Sequence, residues 1–166
     1  PPDSMKAYMR RIRPKIGTDL LLLSGAAAIV YDDAGHILLQ KRADNGLWEL
    51  PGGAIAPDEA PVDAAVREVW EETGVLVEPT RLVGVFGGNE IRVTEPYGEQ
   101  VAVVGIVYEC RPVGGQLQPD GDETEAVGYF SPETLTEAML SNKWRLAIGI
   151  AKQLPNSTYF DPPKGQ

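Results

Sequence analysis

The chain has 166 residues, 43% hydrophobic and 23% charged, with a net charge of −9. That length and composition predict one soluble globular domain with a buried core, and the acidic balance disfavours long nucleic acid, because phosphate binding asks for a basic face. No apolar run reaches the roughly 18 residues that span a bilayer, so no membrane segment is expected.

Residues 4–14 read as a short basic helix that Pro14 ends. Arg10, Arg11 and Arg13 ahead of Leu20–Leu23 have the look of a secretion signal. The long polar lead-in and the strand-like continuation argue against one. The chain opens on Pro1-Pro2 rather than Met, which leaves the native start open. Strands are expected at about 20–32 and 36–42, joined by the turn Asp32-Asp33-Ala34-Gly35. Gly46 to Gly53 reads as a loop, followed by a helix with Asp58 as N-cap, Pro61 in its first turn and Gly74 as its stop.

Further strands are expected near 76–87, 99–110 and 126–130, and helices over Pro132–Leu140 and Asn142–Leu154 with Trp144 buried. The Pro-rich end, 155–166, reads as a loose tail. Mixed strands and flanking helices predict an α/β fold. Cys110, the single cysteine, allows no internal disulfide and fits a reducing, cytoplasmic setting. It is expected to be packed rather than nucleophilic. His36, the lone histidine, falls in a turn and is expected at the surface.

The most informative segment is Arg67-Glu68-Val69-Trp70-Glu71-Glu72-Thr73-Gly74. At about 100° per residue, Glu68, Glu71 and Glu72 fall in one arc of the helix, with Val62, Val66, Val69 and Trp70 on the opposite, core-facing arc. Like charges at i,i+3 and i,i+4 destabilise a helix by roughly 0.2–0.5 kcal/mol per pair. Aligned carboxylates with no interleaved lysine therefore point to a hard divalent cation, which takes oxygen ligands. A second acidic run holds Asp120, Asp122, Glu123 and Glu125 with no base among them.

The spacing Gly53…Glu59…Arg67-Glu68-Val69-x-Glu71-Glu72-x-Gly74-Val75 resembles the signature of the Nudix (MutT-like) hydrolases, which cleave nucleoside diphosphates linked to another moiety. Every fixed position of that signature is filled, and Leu47-Trp48-Glu49-Leu50-Pro51-Gly52-Gly53 resembles the family's approach to it. The resemblance implies a Nudix-type α/β/α sandwich with a mixed sheet. It implies a single domain over 1–166, with an extension at 1–18, the Nudix box at 53–75 and the tail at 155–166.

It also implies Mg²⁺ or Mn²⁺ held by Glu68, Glu71 and Glu72, with Glu71, Glu123 and Arg67 as the catalytic group. In that group Arg67 acts by bracing the loop and helix together with Glu59. Glu123, with Glu125 second, corresponds to a carboxylate that many members supply from outside the box. Gly52 and Gly53 permit close approach of substrate, and Arg42 either reaches a phosphate or sits in an exposed ion pair. Trp48 is open between cleft and core.

The implied chemistry is metal-assisted attack of water on phosphorus, on a small nucleotide-like diphosphate, with homodimer formation left open. Substrate markers are uninformative: the proline of ADP-ribose-type members and the tyrosine of diadenosine-polyphosphate-type members are matched only late, by Pro96 and Tyr97, well past Glu90. Two other classes are weighed. One is a Nudix-fold nucleotide-binding or regulatory module without catalysis, and the other an isopentenyl-diphosphate isomerase, for which Cys110 is the sole candidate cysteine.

Overall fold

The computed structural model describes residues 4–88, 92–94, 99–136 and 139–165. Pro96 and Tyr97, the late matches to the substrate markers, lie outside them, as does Glu90. In chain order the elements are α1 (Met5–Ile16), β1 (Leu21–Val30), β2 (Ile37–Arg42), β3 (Trp48–Glu49), β4 (Gly52–Ala54), α2 (Pro61–Thr73), β5 (Val75–Phe86), β6 (Arg92–Thr94), β7 (Gln100–Gly115), β8 (Thr124–Phe130), α3 (Asn142–Gln153) and β9 (Tyr159–Phe160). A mixed six-stranded sheet runs β4-β1-β7-β5-β9, with β6 also on β7. Within it β1 and β7 are parallel, as are β5 and β9, and the other pairs are antiparallel. A three-stranded antiparallel sheet runs β3-β2-β8.

The sandwich follows from β1. Its stretch Ala26–Val30 is buried without a break, which a strand shows only when both faces are covered. Ala27 and Ile29 point into one core with Leu39, Val83, Val107 and the α3 residues Ala147, Ile148 and Ala151. Ala28 and Val30 point the other way, onto Val69 of α2 with Val75, Val77 and Cys110. The period-2 alternation of one strand thus feeds two cores. No helix among the described residues is long and apolar enough to cross a membrane.

Several boundaries differ from the sequence reading. Pro14 lies inside α1, which runs on to Ile16 and stops at Gly17 (φ 60°), whose N–H donates to the Arg13 carbonyl at 2.9 Å. No residue of α1 is buried, so the carbonyl that Pro14 leaves unpaired can meet water. Asp58 is not the N-cap of α2: it adopts φ 64° in the preceding turn, and Ala60 caps the helix with Pro61 as its first residue. Gly74 does end α2, in the left-handed region at φ 73°.

The turn after β1 is a hairpin only at its base. Tyr31 bridges Ile37, and Asp32 Oδ1 accepts from the backbone of Ala34 and His36, but β1 and β2 then part into different sheets. Of the helix expected over 132–140 only the 3-10 turn Pro132–Thr134 forms, and Leu140 bridges Trp48 instead; residues 137–138 lie outside those described. The tail is not loose throughout: Tyr159–Phe160 adds a parallel strand to β5. Arg81 fixes that return, donating to the carbonyls of Ala151 (2.9 Å), Leu154 (3.1 Å) and Ser157 (3.3 Å) while paired with Glu109. A long-range arginine staple of this kind has no local sequence signal.

Candidate active site

The strand that leads into the α2 loop is seated on β1 by two adjacent glycines. Gly52 pairs with Ala27 and Gly53 with Ala26 across β4 and β1. A Cβ at Gly52 would stand 2.5 Å from the Ala26 carbonyl oxygen, so no larger residue fits against β1. A Cβ at Gly53 would stand 2.5 Å from Glu68 Oε1 and 2.6 Å from its Cδ. The space over Gly53 is therefore what seats the Glu68 carboxylate.

α2 presents its acids unevenly. Glu72 is 8% exposed and Glu71 is open to solvent, with Glu68 between them. The buried stripe is Ala64, Ala65, Val69, Glu72 and Thr73, not the all-apolar arc through Trp70, which is 49% exposed. Trp70 lies about 200° round the helix from Glu72, so turning Glu72 inward puts Trp70 out. Glu72 Oε2 accepts from the Gly52 N–H at 3.0 Å. Burial, with the charge of Glu68 beside it, pushes Glu72 up to about 9, against the softer pull of that hydrogen bond. Burial also raises Glu68, opposed by the Arg67 guanidinium.

Arg67 ties the wall together. Its Nε and one terminal nitrogen fork onto Glu59 at 2.7 and 3.0 Å, and the same terminal nitrogen reaches the Ala54 carbonyl at 3.2 Å. The other donates to Glu68 Oε1 at 2.7 Å and Glu71 Oε2 at 3.2 Å. Glu59 completes the brace by accepting from the Ala56 N–H at 3.0 Å; the Arg67 guanidinium, helped by that N–H, holds its carboxyl below the ordinary value. Among the described residues no three His, Cys, Asp or Glu side chains converge as a ready metal site. Glu68 and Glu71 both turn toward Arg67 instead.

Opposite this wall stands the loop Asp120–Glu123, and together they bound an open cleft of about 1210 Å³. Glu123 is exposed, 3.7 Å from Lys6 Nζ, and near enough for its charge to raise both Glu68 and Glu72. Glu125 faces elsewhere, 3.7 Å from Lys41, outside the cleft wall. Arg42 lines the cleft but is engaged by Asp44, at 2.9 and 2.6 Å, and lies 3.7 Å from Glu49. Trp48 packs edge-on against Phe130, beside the α3 core. His36 lies at the surface by Asp32. Cys110 is buried and pushed up to about 12 by burial, away from the cleft.

Sequence reasoning passed over three cleft residues. Lys6 arrives from α1, far upstream. Gln40 and Thr124 are 5% and 1% exposed and meet at 3.1 Å across β2 and β8. A polar residue closing the buried run Ile37-Leu38-Leu39-Gln40 was the available signal for Gln40.

The arrangement is a glycine-edged, carboxylate-walled cleft on an α/β/α sandwich. The sequence model of the NUDIX domain matches residues 21–154. A MutT-like protein of Streptomyces ambofaciens is 38% identical over 135 residues, covering 81% of this chain and 80% of its own. A Bacillus subtilis (strain 168) protein named as an 8-oxo-dGTP diphosphatase is 37% identical over 121 residues, covering 73% of this chain and 74% of its own. Among solved structures, an ADP-ribose pyrophosphatase from Streptococcus suis 89-1591 superposes with a TM-score of 0.64 at 30% identity, over 84% of this chain and 96% of its own. The chain belongs to the Nudix family and is a Nudix hydrolase.

Proposed function

We propose that the protein is a divalent-metal-dependent pyrophosphohydrolase that cleaves the diphosphate linkage of a small nucleotide, a nucleoside diphosphate derivative or a nucleoside triphosphate, by water attack at phosphorus. The observation that carries this reading is Glu72. A carboxylate 8% exposed, with one backbone N–H against it among the described residues and Glu68 alongside, is short of positive charge. Buried carboxylates are stable as anions only when paired, and the guanidinium of Arg67, on the same helix, is spent on Glu59, Glu68 and Glu71. A hard cation with oxygen ligands meets that deficit.

Glu72 and Glu68 would hold Mg²⁺ or Mn²⁺, with Glu71 as the third box carboxylate. When bound, the cation supplies neutralisation of phosphate oxygens and a lower pKa for water. The chain's own residues do the rest. Gly52 lies close on β1 and Gly53 leaves room for the Glu68 carboxylate, and the Arg67–Glu59 fork fixes the loop against α2. Glu123, exposed on the facing loop, would accept a proton from the attacking water. Phosphoryl transfer needs mainly positioning and charge stabilisation, which fits a cleft walled by carboxylates; Cys110, the residue an isomerase would require, is in the core. The relatives named for 8-oxo-dGTP and for ADP-ribose share the diphosphate and differ in what flanks it.

The test is a nucleotide panel of 8-oxo-dGTP, ADP-ribose, unmodified NTPs and sugar nucleotides, run with Mg²⁺, with Mn²⁺ and with EDTA. The best substrate is then turned over in ¹⁸O-water. Metal-dependent cleavage with label on a phosphate product is the expected result. No metal-dependent turnover, or label only on a non-phosphate product, overturns the reading.

A further inference from the structure

Gln40 stands out among the residues that the metal chemistry leaves unused. It lies near the end of β2, 5% exposed, in the wall of the cleft. Its Oε1 accepts from the Thr124 hydroxyl at 3.1 Å, and Thr124 is itself held by Asp120 through its backbone N–H at 2.9 Å. The amide nitrogen finds no acceptor among the described residues. That nitrogen is not sealed from solvent, so it stays free to donate to a ligand. With the rest of the side chain enclosed, the cleft is where this free NH₂ opens.

The neighbours of Gln40 fix which end of the cleft that is. In the β2–β3 register Gln40 stands directly opposite Glu49, and residues so paired share one face of the sheet. The charge of Glu49 reaches Glu72. On its other side Gln40 touches Thr124, next in sequence to Glu123, whose charge also reaches Glu68 and Glu72. The free amide is thus flanked by groups that feel the buried box carboxylates, at the place where the diphosphate of the proposed reaction lies. Arg42 and Arg67 are tied to carboxylates, and Lys6 lies 3.7 Å from Glu123. Gln40 adds an uncharged donor for a phosphate oxygen there.

We propose that Gln40 is a substrate-binding residue whose free amide N–H donates to a non-bridging oxygen of the substrate's diphosphate, with Thr124 locking the amide in that orientation. This rests on the pyrophosphohydrolase reading above. The contact exists in the bound ground state as well as in the transition state, so its loss falls on KM more than on kcat. A hydrogen bond to a charged group sets the scale at about 10–100-fold.

The experiment compares wild type, Gln40→Met and the double variant Gln40→Met/Thr124→Val. Two measurements are made: steady-state kinetics on the best substrate of the panel, and calorimetric binding of α,β-methylene-ADP, an uncleavable diphosphate, with Mg²⁺. Gln40→Met alone orphans the Thr124 hydroxyl and loses thermal stability. The double variant removes both polar partners and regains much of it. The proposal expects KM and the analogue's Kd to rise about 10–100-fold in both variants, with kcat changed less. It is overturned if the double variant recovers wild-type KM and Kd, which would make Gln40 only a prop for Thr124, or if Gln40→Met is unaffected in both. A wild type that binds the analogue without cleaving any panel member refutes the hydrolase reading and leaves the Gln40 contact standing on its Kd effect. A wild type that neither binds nor cleaves refutes both.

Discussion

Glu72→Gln is expected to make the metal-free protein more stable while abolishing its turnover. Glu72 is 8% exposed and rises from 4.5 to about 9 in the fold, chiefly through burial. The sign follows from linkage: a carboxyl whose folded value lies above its unfolded value keeps its proton in the native state when the unfolded chain has lost it. Its penalty is absent well below 4.5, grows as pH rises, and levels off above about 9. At about 1.4 kcal/mol per pKa unit, the ceiling is about 1 kcal/mol at pH 5 and about 4 kcal/mol at pH 7.5. Glutamine keeps the shape and an oxygen for the Gly52 N–H, and it carries no charge to desolvate.

The assay is thermal unfolding of both proteins in EDTA at pH 5 and at pH 7.5, repeated with Mg²⁺. For a domain of this size about 2–4 °C accompanies each kcal/mol. A full 3 kcal/mol widening between the two pH values would thus separate the midpoints by about 6–12 °C more at pH 7.5 than at pH 5. Water entry and loop relaxation reduce that, so a widening of about 3–10 °C is expected. Mg²⁺ should then raise the wild type much more than the variant, because only the wild type offers it an unpaired buried carboxylate. The reasoning is refuted if Glu72→Gln is the less stable protein in EDTA at pH 7.5, or if the gap is the same at both pH values.

Gly53→Ala places a Cβ 2.5 Å from Glu68 Oε1; kcat should fall by about 10²-fold, as displacement of a positioned group does, with a fall in melting temperature of only a few degrees by unfolding. Glu123→Gln should lower kcat by about 10²-fold or more with little change in KM, as expected of a base, whereas Glu125→Gln, outside the cleft and paired with Lys41, should stay near wild type. Equal kcat values in steady-state assays of those two variants would reduce the acidic loop to a solvated surface. Arg81→Met should cost about 2–3 kcal/mol by orphaning Glu109 and the carbonyls that end α3, seen as a lower denaturation midpoint with KM unchanged.

The parts of the fold legible in the sequence are those set by local pattern. The β1, β5 and β7 runs, the α2 box and the α3 helix all carry their own periodicity, and Gly74 stops α2 because only a left-handed residue suits that cap. What escaped is set by partners distant in sequence. β9 exists because β5 offers an edge and Arg81 holds the returning chain. β1 and β2 separate into two sheets because Leu38 and Leu39 serve opposite cores, which a hairpin pattern does not encode. The helix expected after Pro132 yields to the pairing of Leu140 with Trp48.

At the site, the box motif identified the acids, while a helical wheel misjudged their faces. It set three equivalent carboxylates opposite an apolar stripe, yet Glu72 is inside the stripe, Glu71 is in solvent and Trp70 is half exposed. The wheel assumes that burial follows hydropathy, and at Glu72 and Trp70 that assumption fails. The same logic explains why Arg67 does not neutralise Glu72. Its fork is matched to Glu59, which pins the loop, and a guanidinium so committed leaves one carboxylate in want of a cation. A chain selected for stability alone would have closed that deficit with a second arginine or removed the charge. Under the proposed function, keeping an acid without a cationic partner in an open cleft is a cost that metal binding would relieve.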